Sequence, residues 1–147
     1  MVSFQEEFMK SRGKPIVYKG KTIMMLDRIA IGKKSKIRIK FEKTNSEWDQ
    51  GISLKVDKGI IVEGEEIKHL RLWEKHAPSY LEYDVETNNG ELLLWNIWDT
   101  GNGSTDAWIN GAAMIAQDLD NGKIYFCNDG HPDDNFDDLV FKIEIIE

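Results

Sequence analysis

The sequence predicts an all-β protein: a single antiparallel β-sandwich, jelly-roll-like or immunoglobulin-like, of roughly eight to ten strands with little helix. Three observations carry this. Apolar and polar residues alternate with period 2 in run after run; Gly, Asn and Asp clusters punctuate the runs; and only one short stretch has helical spacing.

That stretch is Phe4 to Ser11, where Phe4, Phe8 and Met9 share a face; it is too short to hold without packing. Ile16 to Tyr18 and Thr22 to Leu26 flank Lys19-Gly20-Lys21, an expected hairpin. Ile37, Ile39 and Phe41 alternate with Lys36, Arg38 and Lys40, giving a strand with one apolar and one basic side. Leu81, Tyr83 and Val85 alternate with Glu82, Asp84 and Glu86, so the two charged sides are expected on one outer surface as cross-strand neighbours. Between them, Ile52, Leu54 and Val56 lead through Asp57-Lys58-Gly59 into Ile60 to Val62, which reads as a tight hairpin, and Gly64 turns the chain toward Leu70 to Trp73. Asn88-Asn89-Gly90 is the clearest hairpin signal, because Asn and Gly tolerate positive φ; it is expected to join Tyr80 to Val85 with Glu91 to Trp98. Leu92 to Trp98 is apolar on both sides and reads as a central strand. Asp120-Asn121-Gly122 joins Met114 to Gln117 with Lys123 to Cys127, and Leu139 to Ile146 forms the last strand.

At 147 residues the chain is expected to form one domain, residues 1–147, with a core large enough to need no staples. Its 41% hydrophobic and 31% charged residues are interspersed, which argues against disorder. No apolar run is long enough for a membrane helix, and Met1 to Pro15 lacks a secretory pattern, so a cytoplasmic location is expected. Cys127 stands alone, which excludes an internal disulfide and a thiolate metal cage and suits a reducing compartment. The net charge of −7 conceals a split: residues 1–75 hold 17 Lys+Arg against 11 Asp+Glu, and 76–147 hold 2 against 15, hence +6 and −13. Within one domain such halves tend to interleave, and the overall acidity opposes nucleic-acid binding.

Candidate sites lie in two loops. Asn128 to Asp138 crowds carboxylates and amides beside a strand, and hard cations such as calcium take six to eight such oxygens. Asp129, Asp133, Asn135, Asp137 and Asp138 are the candidate metal ligands, with Asx turns as the alternative use of the same side chains. Asp99 to Asp106 is a second oxygen-rich loop, expected at the same pole; with Trp98, Asp99, Asn102, Asp106 and Trp108 it would form a polar or carbohydrate-like ligand site. Trp48 is a further candidate platform, while Trp73 and Trp95 are expected in the core.

Catalytic constellations are weaker. No Gly-x-Ser-x-Gly elbow exists, Ser104 has no assignable base, and Cys127 with His131 reads as an inert cysteine near a turn histidine. His69 and His76 fit no zinc spacing, Gly101-x-Gly103 is too little for a phosphate loop, and Glu91, Asp99 and Asp106 are too ordinary in so acidic a chain to mark a glycosidase.

The run Asp133-Asp134-Asn135-Phe136-Asp137-Asp138-Leu139-Val140-Phe141 resembles the ending of a bacterial C-terminal domain of unknown function carried by surface-sorted and secreted proteins. That resemblance covers about the last twenty residues and implies a β-sandwich with a calcium loop. Over its length the chain resembles a group of small, free-standing, uncharacterised bacterial proteins, through Lys36 to Thr44, Trp95 to Asp99, Asn110 to Ile115 and Cys127 to Asp134. The resemblance implies a kind of protein and no activity. The expected function is a non-catalytic binding module for a cation, calcium first, or for a polar ligand. The alternatives are a protein that binds a basic protein partner through its acidic half, as immunity proteins do, and a hydrolase.

Overall fold

The computed structural model describes residues 3–146, and the fold is all-β and antiparallel with little helix. A short helix, α1 (Gln5–Lys10), leads into β1 (Ile16–Tyr18) and β2 (Lys21–Ile23), a two-stranded hairpin. There follow β3 (Asp27–Ala30), β4 (Lys34–Thr44), β5 (Asp49–Val62), β6 (Glu65–Trp73), a 3₁₀ turn at Glu74–His76, β7 (Leu81–Glu86), β8 (Glu91–Asp99), β9 (Ala113–Leu119), β10 (Gly122–Asn128) and β11 (Leu139–Ile145). From β3 onward the strands form one curled sheet in the order β3-β8-β5-β7-β4-β11-β10-β9, with β6 on the other edge of β5.

Two expected hairpins are absent, and for one reason. Residues 57–59 do not reverse the chain; β5 runs unbroken for 14 residues, and its Val56 to Gly59 bulge out opposite Lys68 of β6. Nor does Asn88-Asn89-Gly90 join paired strands: β8 and β7 lie end to end on the same edge of β5, at Asp49 to Lys55 and Gly59 to Ile61 respectively. The two turn-like segments face each other where the sheet bends. Asp57 accepts the backbone N–H groups of Asn88 and Asn89 at 2.8 and 3.0 Å, which fastens the bend. A bulge there adds twist and lets one long strand belong to both layers, so a single sheet covers both sides of its core. The real turn of that region is Glu63-Gly64, both at positive φ.

Other expectations hold. The β9–β10 hairpin, the final strand and the β1–β2 hairpin are present, although β2 stops at Ile23 and Met24 makes an isolated bridge to Met114. Phe8 of α1 and Phe4 just before it are buried, but Met9 is exposed. β4 lies between β7 and β11, and the halves of opposite charge interleave there: Arg38 meets Glu82 at 2.6 Å, Lys36 meets Asp84 at 3.8 Å and Lys142 meets Glu42 at 3.4 Å. Such surface pairs add little stability.

The main core joins Ile52 and Leu54 of β5 and Leu92 and Leu94 of β8 with Ile37 and Ile39 of β4 and Tyr125, Phe141 and Ile143 of the facing layer. A smaller cluster of Phe4, Phe8, Ile23, Ala113 and Phe136 seats the helix. Tyr125 donates its hydroxyl to Asp27 at 2.6 Å, and Lys123 reaches the same oxygen at 3.0 Å, drawing β3 and β10 together where the curl nearly closes.

Gly51 passes between β6 and β8 so closely that a Cβ there would stand 2.5 Å from the Leu72 carbonyl oxygen and 2.9 Å from the Trp73 ring. Gly51→Ala should therefore cost about 2 kcal/mol. Thermal unfolding should show a midpoint roughly 4–8 °C lower, and an unchanged midpoint would mean that β5 and β6 separate without cost.

Candidate functional site

The inner face of β5 and β8 turns polar at one pole. Ile52 and Leu54 are followed outward by Gln50, and Leu92 and Leu94 by Asn96 and Trp98, all buried. Buried polar side chains need partners, and the 128–138 loop supplies them. Asn96 donates to the Asn128 carbonyl at 2.7 Å. Asn128 in turn donates to the Asp133 carbonyl at 2.8 Å and accepts the Phe136 N–H at 2.6 Å, closing the loop on itself. Phe136, at φ 53°, inserts into the smaller core and anchors the loop.

Asp129 is at the centre and wholly buried. One oxygen accepts Ser46 Oγ at 2.6 Å and Gln50 Nε2 at 2.9 Å; the other accepts the His131 N–H at 3.0 Å and faces His131 Nδ1 at 2.7 Å. Burial works against this charge, but the Ser46 and His131 hydrogen bonds outweigh it and hold the carboxyl below its ordinary range. Asp138 lies beside it, accepting the Asp129 N–H at 3.0 Å. Burial, reinforced by the neighbouring Asp129 charge, pushes Asp138 up to about 7. His131 shifts upward: burial lowers it, but Asp129, Glu47 and Asp138 raise it more. Its other nitrogen, Nε2, faces Glu47 at 3.3 Å, and its ring stacks on Trp48 with centroids 3.8 Å apart. Trp98 lies behind Trp48, and Gly130 passes so near both that a Cβ would come within 2.9 Å of the Trp98 ring.

Ligating atoms of Asp129, His131 and Asp138 all lie within 4.8 Å of one another. Gln50 Oε1 is buried and has no hydrogen-bond partner among the described residues, on the amide whose nitrogen holds Asp129. The remaining sequence candidates point elsewhere. Asp133 accepts the Asn135 N–H in an Asx-type turn, Asn135 is exposed, and Asp137 takes the Asn45 amide at 2.9 Å. Asp134 binds Tyr18 and Lys19. Of the five expected metal ligands, then, the fold brings together Asp129 and Asp138 and adds His131, which the oxygen count alone passed over.

The side chains of the 99–106 loop have partners of their own. Asp99 caps Gly101 and Gly103, and Asn102 caps Ser104. Asp106 bridges to Trp98 through the backbone, and Trp98 is 1% exposed, a core residue and no open platform. Trp108 is 38% exposed, but its Nε1 donates to the Met25 carbonyl at 3.0 Å and its ring leans on Trp95. Cys127 is fully buried, and burial pushes its thiol well above the ordinary value, against a thiolate role. Ser46 spends its hydroxyl on Asp129. Comparison with protein-family models and with curated proteins gives no match.

The shifts carry a sign. An acid that binds its proton more tightly when folded loses stabilisation as pH rises from its unfolded value, about 4, through its folded one. Asp138 does so up to about 7. A histidine raised above 6.5 likewise loses its contribution as pH rises through its folded value. In chelator, the unfolding midpoint should fall as pH rises from about 4 to about 7. Asp138→Asn keeps an acceptor for the Asp129 N–H and cannot ionise, so its midpoint should fall less; an identical slope in the two proteins would assign the pH dependence elsewhere.

Proposed function

We propose that the protein is a non-catalytic binding module that takes a divalent cation of the borderline class, zinc or a similar first-row ion, in the loop between β10 and β11. One observation carries the reading: an imidazole and two carboxyls gathered within 4.8 Å in a buried loop, with an unpartnered amide oxygen alongside. Tetrahedral bonds of about 2.0–2.1 Å place neighbouring donors about 3.3 Å apart, so small side-chain rotations bring this set to bonding distance. A nitrogen donor and few oxygens suit zinc better than calcium, which would need several more oxygens than converge here.

The charge balance supports the same reading. Two buried carboxyls side by side are costly, and in the metal-free protein the cost is met by a proton on Asp138 and by His131. A dication replaces those protons, so binding releases them and strengthens as pH rises. The ion would enter past His131, whose side chain is 30% exposed, while Asp129 is closed from behind by Ser46 and Gln50. Recognition of a basic protein partner rests on the unequal halves of the sequence, and interleaving of β4 with β7 and β11 weakens it.

Zinc added to chelated protein at a hundredfold excess over its Kd should stabilise by about 2.7 kcal/mol. For a chain of this size that raises the unfolding midpoint by roughly 5–11 °C. Calcium should do markedly less, and His131→Ala combined with Asp138→Asn should abolish the zinc shift. The reading fails if zinc, manganese and calcium all leave the midpoint unmoved, or if the shift survives the double substitution.

A further inference from the structure

We propose that the seam between β2 and β9 binds an extended peptide as an added strand on the free edge of β9, independently of the cation site. Among the described residues a single backbone bridge, made one residue past β2, joins this segment to β9. Met24 and Met114 exchange both backbone hydrogen bonds, at 2.9 and 2.8 Å, and then the strands part. Met114 therefore turns its N–H and C=O away from β10. Because β9 and β10 pair without a register break from Ala113 to Leu119, Ala116 and Asp118 turn theirs the same way. Had the ladder continued, Thr22 would stand opposite Ala116; its pairing with Val17 uses the other edge of β2, and among the described residues no backbone bond joins Thr22 to Ala116. Among the described residues nothing pairs with Ala116 or Asp118 on that side.

The strands part around a cavity of about 710 Å³, lined by Thr22 on one wall and Ala116 on the other. Its floor is the outer face of the sheet, Ile115 and Phe126, with Phe136 behind. Two lysines of the β1–β2 hairpin line it. Lys19 is paired with Asp134 at 2.9 Å, which ties the hairpin to the neighbouring loop; Lys21 has no carboxylate within reach among the described residues. An unpaired strand edge, an apolar floor and the one uncompensated cation of Lys21 on the wall are the parts of strand addition: main-chain bonds supply affinity and alternate side chains supply selectivity. The occupant they fit is an extended segment with one large apolar residue toward the floor and acidic residues flanking it.

The test uses a fluorescein-labelled Glu-Val-Phe-Val-Glu peptide, with Glu-Pro-Phe-Pro-Glu as a control that keeps the side-chain anchors and lacks two N–H donors. Anisotropy should saturate below about 1 mM for the first peptide and be at least about tenfold weaker for the second. Ala116→Pro removes only an N–H that faces the free edge, so β9 keeps its ladder with β10 while peptide affinity should drop about tenfold. Lys21→Glu should weaken binding about fivefold without touching the strand. In the unsubstituted protein, hydrogen exchange at Ala116 and Asp118 should slow on peptide addition, a readout that stands even if the proline variant misfolds. The proposal is overturned by absent saturation, by equal binding of the proline control, by indifference to Lys21→Glu, or by protection elsewhere in the chain. A concentration-dependent doubling of mass that Ala116→Pro abolishes would overturn it in favour of a second copy on the same edge.

Discussion

A strand paired along both edges for most of its length must bend somewhere if one sheet is to cover both sides of a core, and in this protein that constraint falls on β5. Its first half carries β8 and its last residues carry β7, while β6 follows its other edge throughout. The bulge at Val56 to Gly59 is where the direction changes, and Asp57 holds the 88–90 segment across the bend. Without that bend the Ile52, Leu54 and Leu94 face would have no layer carrying Ile37, Ile39 and Phe141 to pack against.

The same strand governs the candidate site. Gln50 begins β5 and holds Asp129, so the polar pole is a continuation of the core face that the bend creates. A carboxylate with no solvent exposure survives there because four donors face its two oxygens, and because its neighbour Asp138 stays protonated to about 7. The loop is thus held from three directions: by Asn128 and Asn96 at its base, by Phe136 in the smaller core, and by Asp134 on the β1–β2 hairpin. That last tether also forms part of the wall of the seam beside β9, so one loop borders both the Asp129–His131–Asp138 cluster and that seam.

Much of the fold was legible. Strict alternation in Ile37 to Phe41 and Leu81 to Val85 fixed both the strands and their charged faces, and the pairing of Arg38 with Glu82 follows from it. Asn121-Gly122 makes the hairpin its residues announce. Asp57-Lys58-Gly59 and Asn88-Asn89-Gly90 have the same local chemistry and reverse nothing, because turn residues permit a bend without dictating that flanking strands pair with each other. Instead the two segments meet each other, Asp57 holding the Asn88 and Asn89 N–H groups, a consequence of sheet order that local pattern does not contain.

By itself, then, the sequence determined the β class, most strand positions and the crowding of carboxylates in the 128–138 loop, since these rest on period-2 alternation and on the number of carboxylates in one short stretch. Tertiary structure alone decided which carboxyls converge. Asp129 and Asp138 are nine residues apart and turn inward, whereas Asp133, Asp134 and Asp137 in the same run turn to Asn135, to Tyr18 and Lys19, and to Asn45. It also decided that Gln50, Ser46 and Trp48, some eighty residues upstream, complete the cluster, and that Trp98 is core. The physical reason is that a side chain's role is set by what lies across from it, and the strands from β4 to β11 place distant segments face to face.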